Sequence, residues 1–251
     1  MGDKNKSLAQ MHINTLNQCI ERVRTQELKE HERAQDLSIQ EVFNAHAQAL
    51  VWVANNIVLA SQRRSFIIDD NNRNVLRFLL YYFNNCPLAE EVFPGRGYKL
   101  HKHIMLHGNV GTGKTLLMQV FSEYLRITNN PRFFYNVSVT QMVNYYTRHN
   151  NLDRYTFNEE DTKGFQCNPY NVCLNDLGVQ STKFYGMDTE VLTNEFLHAR
   201  NEIWTNYHKM AHITTNLDID LLTKKYSDEF DRLVDRFKTY NVIPIQGESR
   251  R

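Results

Sequence analysis

Apolar residues in the first 64 positions recur at helical spacing. Leu16, Ile20 and Val23 lie four and three residues apart, which places them on one face of a helix. A second apolar stripe runs through residues 42–58, and neither Gly nor Pro interrupts residues 3–86. Residues 1–64 are therefore predicted to be an N-terminal helical region. They either form a hairpin packed on the rest of the chain or an arm that docks on a partner protein.

From about residue 65 onward, short strand patterns alternate with helical patterns. Strands are predicted at 103–107, 133–137, 172–174, 212–215 and 242–245, and helices at 116–125, 139–146, 189–207, 218–226 and 228–237. Residues 149–170 are polar and are predicted to form a long loop. Such alternation is typical of a parallel α/β sheet covered by helices on both faces. Residues 65–251 are predicted to form this domain.

A glycine-rich segment follows the first predicted strand and precedes a helix. Its residues are Gly108, Asn109, Val110, Gly111, Thr112, Gly113, Lys114 and Thr115. This pattern is typical of a phosphate-binding loop, in which glycines let backbone N–H groups surround the phosphates. Lys114 is predicted to bind the β- and γ-phosphates, and the Thr115 hydroxyl to bind Mg²⁺. The sequence therefore predicts a site for a nucleoside triphosphate, taken to be ATP with Mg²⁺.

Polar residues follow two of the later predicted strands. Asn175 and Asp176 end the strand that begins at residue 172, where a phosphate loop needs an acid for the metal or the attacking water. Asn216 follows the strand at 212–215 and could orient a water or the γ-phosphate. Arg232 and Arg236 lie four apart on a predicted helix, and either a salt-bridged surface or a catalytic arginine would explain them.

Net charge and composition limit the partners and the cellular compartment that we expect for the chain. The formal net charge is +1, so no overall basic field would hold the chain on nucleic acid or an anionic membrane, and any such contact is expected to be local. Four cysteines without a close pair are typical of reduced thiols in a cytoplasmic protein. The longest apolar stretches, such as 49–53, are too short to span a membrane.

Taken together, these segments resemble the bacterial DnaC-type helicase loaders and the related transposition ATPase IstB, both AAA+ proteins. The resemblance covers about residues 100–251. It includes the phosphate loop, the segments 175–180 and 213–216, the helix with Arg232 and Arg236, and the end of the chain at 247–251. It implies an AAA+ P-loop fold with an N-terminal helical region and no C-terminal lid domain.

The resemblance also implies roles for particular residues. Arg236 falls at the position of the arginine finger, which acts on the ATP of a neighbouring subunit in a homo-oligomer. Arg251 falls where a second, sensor-like arginine sits, and Asn216 falls on the sensor strand. Lys183 and Tyr185 fall at positions that contact single-stranded DNA, and a lysine beside aromatic rings suits such a strand.

One position departs from the family. An acid is expected where this chain has Asn175, and a neutral amide holds Mg²⁺ less strongly than a carboxylate does. Either Asp176 takes over metal binding or hydrolysis is slow.

The sequence therefore predicts an ATP-binding DNA-replication accessory protein that loads or remodels a replicative helicase on single-stranded DNA. It is expected to be an ATPase with slow turnover. The alternatives are an IstB-like transposition ATPase, a kinase that uses the same loop, and a nucleotide-dependent switch.

Overall fold

The computed structural model describes residues 2–160, 166–178, 183–184, 187–226 and 232–249. The α-helices are α1 Gly2–Asp36, α2 Gln40–Val53, α3 Arg73–Phe83, α4 Lys114–Ile127, α5 Val139–His149, α6 Thr189–Tyr207, α7 Ile219–Tyr226 and α8 Arg232–Phe237. The strands are β1 His103–His107, β2 Tyr135–Ser138, β3 Val172–Leu177, β4 Lys183–Phe184, β5 Met187–Asp188, β6 Ala211–Thr215 and β7 Tyr240–Pro244. A π-helical turn, Ala54–Val58, continues α2, and short 3-10 turns occur at Ala60–Gln62, Pro87–Glu91 and Asp153–Tyr155.

Five strands form one parallel sheet in the order β2-β3-β6-β1-β7. β1 lies between β6 and β7, with Leu106 opposite Thr214 on one side and Ile243 on the other. β4 and β5 pair antiparallel as a separate two-stranded sheet. The predicted parallel α/β sheet is confirmed, and because its strands run in one direction, their carboxyl ends meet at one edge.

Helices cover both faces of the sheet. Ile104 and Leu106 of β1 pack in one hydrophobic cluster with α2, α3 and α4, whereas Met105 between them packs in a second cluster with α5, α6 and α7. Successive side chains of a strand point to opposite faces, so β1 contributes to both layers, and its first four residues are buried. The sheet is thus the middle layer of three.

The first 64 residues divide into two parts. In α2, Leu50 and Val53 are buried in the cluster that also contains α3 and α4, and the ring of Phe43 lies 4.8 Å from that of Tyr81. In α1, the predicted apolar face is present but exposed, with Leu16 63% exposed. The packed part of this region therefore begins near α2, and α1 keeps an uncovered apolar face.

Sequence analysis does not identify helix α3. Eight of its 11 residues are buried, and the exposed Arg73, Asn74 and Arg77 lie on the opposite face. The amphipathic pattern is thus present in the sequence and is overlooked, because it lies between the first helical region and the strand–helix alternation. The Tyr82 hydroxyl of this helix donates to the Lys102 carbonyl at 2.6 Å, which satisfies its polar group in the core.

Side chains fix where two helices of the second layer begin. The Ser138 hydroxyl accepts from the Gln141 backbone N–H at 3.1 Å, and the Gln141 side chain accepts from the Ser138 N–H at 2.9 Å. The Asp188 carboxylate accepts from the Glu190 N–H at 2.9 Å and begins α6. Among the residues described above, no helix has the length and apolar character needed to cross a membrane.

Candidate functional site

The loop between β1 and α4 has the backbone of a phosphate cradle. Gly108 has a φ of 144°, and a Cβ at this position would lie 2.2 Å from the Ile245 carbonyl oxygen. Gly113, directly before α4, has a φ of 94°. Both positions need glycine, because other L-residues are strained at these angles and a side chain at 108 would collide with the strand end. The loop can therefore turn tightly and lead into the N-terminus of α4 with its N–H groups unobstructed.

Lys114 is held against the loop that it follows. Its side chain is only 4% exposed, and its ammonium group donates to the carbonyls of Gly108 at 2.7 Å and Asn109 at 2.8 Å. Thr112, also buried, donates from its hydroxyl to the Asn109 carbonyl at 3.0 Å. The ammonium group is therefore positioned over the loop, where phosphate oxygens would be stronger acceptors than neutral carbonyls.

Four side chains predicted for the site meet at one cavity of about 190 Å³ beside this loop. They are those of Lys114, Thr115, Asp176 and Asn216, and Val110, Gly111 and Gly113 of the loop line the same cavity. The carboxyl ends of β1, β3 and β6 supply them, as the parallel sheet requires. One cation, one carboxylate, a hydroxyl and an amide thus surround a single space.

A bulge at the end of β3 places Asp176. Leu174 pairs with Ile213 and Leu177 with Thr215, so β3 has one residue more than β6 over this stretch. Asp176 has a positive φ of 61°, and its N–H donates to the Thr214 hydroxyl at 3.0 Å. The strained turn directs the Asp176 side chain to the cavity instead of to the interior of the sheet.

Asn175 lies elsewhere, although sequence analysis grouped it with the metal ligands. Its side chain is buried, donates to the Asn136 side-chain oxygen at 3.1 Å and accepts from the Thr214 hydroxyl at 3.2 Å. It therefore links β2, β3 and β6 through side-chain hydrogen bonds and does not line the phosphate cavity. Its amide is suited to this place, because it can donate on one side and accept on the other.

The donor set at the cavity fits a magnesium ion bound with a nucleotide. Thr115 offers a hydroxyl oxygen and Asp176 a carboxylate, which are the hard oxygen ligands that Mg²⁺ takes alongside phosphates. His107, at the end of β1, is half-buried, and burial together with the nearby Lys114 cation lowers its pKa. That histidine is therefore neutral near pH 7 and adds no positive charge beside Lys114.

Arg236 lies away from this cavity. It lines a separate small space with His103, Arg200 and Tyr240, and its guanidinium group contacts the His198 ring nitrogen. His103 begins β1 whereas the phosphate loop follows its end, so about 13 Å of strand separates the two sites. Arg236 therefore does not reach its own chain's phosphate cavity, and its predicted action on the ATP of a neighbour stays a prediction.

Three predicted site residues are described only in part or lie outside the described residues. Tyr185 and Arg251 lie outside the described residues. Lys183 is described only by its backbone, which belongs to β4. Their predicted contacts with DNA and nucleotide stay predictions.

Sequence analysis missed four residues of the cavity, of which Leu116 and Gln119 belong to α4. Gln62 and Arg64 also line the cavity and come from the segment after α2, some 45 residues before the loop in the chain. Their contact depends on the path of the connection between α2 and α3 over the loop, which no local pattern encodes. Two adjacent arginines at 63 and 64, directly after a helical region, are the only signal that could have drawn attention to them.

The sheet order and the loop after β1 define the class, which is the AAA+ P-loop fold, as predicted. The chain resembles domain III of the replication initiation protein DnaA from Thermotoga maritima, with a TM-score of 0.50, 18% identity, and coverage of 72% of this chain and 65% of that one. It also resembles the replication initiator DnaA bound to AMPPCP and single-stranded DNA, with a TM-score of 0.50, 19% identity, and coverage of 73% and 49%. A DnaC helicase loader matches with a TM-score of 0.45 and 15% identity over 72% of this chain and 93% of that one.

The chain spans between about half and two thirds of the DnaA chains it matches. At 18–19% identity, what it shares with them is the fold. No protein-family model matches the chain, and no curated protein sequence matches it.

Proposed function

We propose that this protein is an ATP-binding replication accessory protein that loads or remodels a replicative helicase on single-stranded DNA. The observation that carries the nucleotide part is the convergence of Lys114, Thr115, Asp176 and Asn216 on one cavity beside a glycine-rich loop. The replication part is supported by the motif resemblance to helicase loaders and by the fold shared with DnaA, one structure of which is bound to AMPPCP and single-stranded DNA.

Each residue at the cavity has a role in this proposal. The loop N–H groups and Lys114 hold the phosphates, with Lys114 exchanging its two carbonyl acceptors for phosphate oxygens. Thr115 and Asp176 hold Mg²⁺, which when bound neutralises phosphate charge. Asn216 orients the attacking water or the γ-phosphate. Because Asp176 is then shared between metal and water, turnover is expected to be slow.

The proposal extends to an assembly of several copies. Arg236 would reach the ATP of the next subunit, after exchanging its contact with His198 for phosphate oxygens. Arg251 would contact the nucleotide in its own chain, and Lys183 and Tyr185 would contact single-stranded DNA. Several copies of one local contact would offset the near-neutral net charge of +1 in each chain.

A nucleotide-dependent switch without useful turnover is the second candidate. It is favoured by the position of Asn175, which leaves Asp176 as the one carboxylate among the described residues that line the phosphate cavity. In this case ATP binding would still drive assembly. Single-turnover hydrolysis, measured with and without single-stranded DNA, separates a slow ATPase from a switch.

Thermal unfolding with MgATP tests nucleotide binding. At a hundred times its Kd, MgATP adds about 2.7 kcal/mol of stability. For a chain of this size the melting temperature should rise by about 5–10 °C. Lys114→Ala should lose most of this rise, and Lys29→Ala, on the exposed face of α1, should keep it. No rise in the wild type with any nucleoside triphosphate would refute the proposal.

A pull-down with MgATP from extracts of the native host tests the partner. Recovery of a replicative helicase supports the loader function, and recovery of a transposase instead favours the IstB-like alternative. The Lys114→Ala protein is the matched bait, because a nucleotide-dependent complex should be weaker with it.

A further inference from the structure

A second and larger cavity lies at the edge of the sheet, away from the phosphate loop. Its volume is about 750 Å³, within the range of about 300–1,000 Å³ that is usual for small-molecule sites. It is bounded by β2, which is an edge strand, by α5, and by the turn that starts at residue 153. None of the residues assigned to nucleotide, metal or DNA above lines it.

Aromatic rings are the main feature of this cavity. Tyr145 and His149 of α5 are stacked, with ring centroids 4.2 Å apart and planes 15° from parallel, and Tyr155 meets Tyr145 edge-on at 5.2 Å. Tyr135 of β2 meets Tyr170 edge-on at 5.1 Å. All five rings line the same space. Four tyrosines and a histidine from different elements thus offer ring faces and edges to one ligand.

Tyr135 stands out among them because it is 49% exposed. A large aromatic side chain held at a cavity mouth by a neighbouring ring has lost rotamer freedom without being buried. A planar ligand that stacks on it would bury the exposed part of the ring. This is the arrangement by which proteins hold the bases of single-stranded nucleic acids.

An exposed cation of the cavity suits the phosphate of a nucleotide. Arg154 supplies it, whereas the amides of the lining already make hydrogen bonds within the protein. These amides are those of Asn136, Gln141 and Asn158. Glu160 also lines the cavity, but its carboxylate accepts hydrogen bonds from the Tyr145 hydroxyl at 3.3 Å and the Asn151 amide at 3.1 Å. Its oxygens are thus engaged with the wall of the cavity.

We infer that this cavity binds a nucleobase, which stacks on the tyrosine rings while its phosphate pairs with Arg154. The base can come from single-stranded nucleic acid or from a free nucleotide, since both present the same ring and phosphate. Where the source is single-stranded DNA, the inference rests on the proposed function and adds a contact surface separate from Lys183 and Tyr185. The phosphate loop plays no part in it.

Fluorescence anisotropy with labelled oligonucleotides tests the stacking. The probes are a 15-nucleotide oligo-dT and an abasic strand of equal length, titrated without ATP. Loss of one stacked base costs about 1–3 kcal/mol, so Tyr135→Ala should raise the Kd for oligo-dT about 5- to 150-fold. Tyr135→Phe should restore binding, and Tyr207→Ala, at the exposed end of α6, should leave it unchanged. The abasic strand should bind more weakly and should not respond to Tyr135→Ala.

Two further experiments identify the source of the base and test the contact of Arg154 with the phosphate. Competition by thymidine monophosphate at concentrations similar to those of oligo-dT would assign the site to free nucleotides, whereas competition only at far higher concentrations would assign it to a strand. Arg154→Gln should weaken binding of either probe and reduce the slope of log affinity against log salt.

The inference is overturned if Tyr135→Ala binds oligo-dT as tightly as Tyr207→Ala does, or if the abasic strand binds as well as oligo-dT. Equal binding of the two strands would instead show that the protein holds the sugar–phosphate backbone without stacking on the bases. Every variant is also melted with and without MgATP. Tyr135→Ala should keep the MgATP shift, and Lys114→Ala should lose it while still binding oligo-dT, so failure here is distinguishable from failure of the nucleotide proposal.

Discussion

The polar sites at the two ends of the parallel sheet differ in their charged groups and in the size of the space that they surround. At the carboxyl end, Lys114, Asp176 and Asn216 surround an open cavity of about 190 Å³ with both signs of charge. At the amino end, Arg200 and Arg236 lie with His103 around a space of only about 10 Å³, and its described lining contains no carboxylate. One end is thus built to receive a ligand, whereas the other is closed and electropositive.

Arg200 contributes a buried positive charge to the amino end of the sheet. Its side chain is 1% exposed, and one terminal nitrogen donates to the carbonyls of Tyr170 at 2.7 Å and Met210 at 3.0 Å. The other two guanidinium nitrogens have no hydrogen-bond partner among the described residues, and burial lowers the pKa of this arginine to about 10. A buried cation without an acid is costly, but because this pKa stays above neutral pH, Arg200 keeps its charge at the amino end.

The carboxyl end is complete within one chain as a candidate nucleotide site. It already holds the cation, the acid and the polar sensor that a nucleotide site needs. In the proposed assembly, Arg236 at the other end acts on the nucleotide of a second copy.

The largest expected effect is that of Arg236→Ala. Removing an arginine finger costs about 10³-fold or more in turnover, whereas nucleotide binding by the monomer should stay near normal. Mixing this variant with Lys114→Ala should partly restore turnover, because an interface can then pair an intact loop with an intact finger. Lys238→Ala, which removes an exposed cation one residue after α8, is the matched control.

Turnover per chain in the mixed sample is the quantity to compare with either variant alone. A protein that stays monomeric with ATP and DNA, and shows no complementation, would contradict a shared site. The amino end would then be a purely structural cluster.

A smaller effect is expected within the carboxyl end, where two adjacent residues should behave differently. Asp176→Asn should lower turnover about 10²-fold or more, because Asp176 supplies the one carboxylate among the described residues of the cavity. Asn175→Asp should not raise turnover, since that side chain is buried between Asn136 and Thr214. It should instead lower the melting temperature, because burying a carboxylate is unfavourable. Asp220→Asn, on α7, is the isosteric control.

Steady-state turnover and thermal melting of the three variants show whether residue 175 or residue 176 serves the metal. A rise in turnover with Asn175→Asp would show that the strand end can rearrange to bring residue 175 to the metal. Full activity in both Asn175→Asp and Asp176→Asn would mean that β3 is not the metal strand.

The contrast between Asn175 and Asp176 also shows how far sequence reasoning reaches. The strand, its polar end and its place beside the phosphate loop follow from an apolar run that ends in acid and amide groups. Which of the two side chains enters the cavity depends on the bulge between Leu174 and Leu177, where β3 carries one residue more than its partner. Strand periodicity cannot predict a bulge, because the extra residue is set by pairing with β6.

The other omissions have different origins. Helix α3 has an amphipathic pattern that sequence analysis overlooks, with Arg73, Asn74 and Arg77 on the face opposite its buried residues. Arg64 reaches the cavity because of the tertiary path of a connection. Elements with a strong local pattern, such as β1 and α6, have the predicted bounds, whereas contacts made by linkers and by irregular backbone need the folded chain.

The smallest expected effect is a pH dependence of stability that belongs to the amino half of the sheet. The His103 ring nitrogen accepts from the Ala211 N–H at 3.2 Å, and the His212 ring nitrogen accepts from the Ile104 N–H at 3.1 Å. Burial, helped by the Arg200 cation, lowers the pKa of His103 to about 3, and burial lowers the pKa of His212 well below its usual value. Both rings are therefore neutral in the folded chain at pH 7.

The sign of the pH effect follows from these depressed pKa values. Each of these histidines has a pKa near 6.5 in the unfolded chain and a much lower pKa in the folded chain. The unfolded chain therefore binds more protons, and the folded chain loses stability as the pH falls. Between pH 7.5 and pH 6.0 each such histidine should lower the free energy of unfolding by about 0.8 kcal/mol, and the two should lower the melting temperature by about 3–6 °C.

His103→Gln should remove about half of this pH dependence, because an amide oxygen can still accept the Ala211 N–H but does not titrate. His149→Gln, at the exposed end of α5, should leave the dependence unchanged. Melting curves at the two pH values decide the matter, and an unaltered pH dependence in His103→Gln would show that the acid sensitivity arises elsewhere.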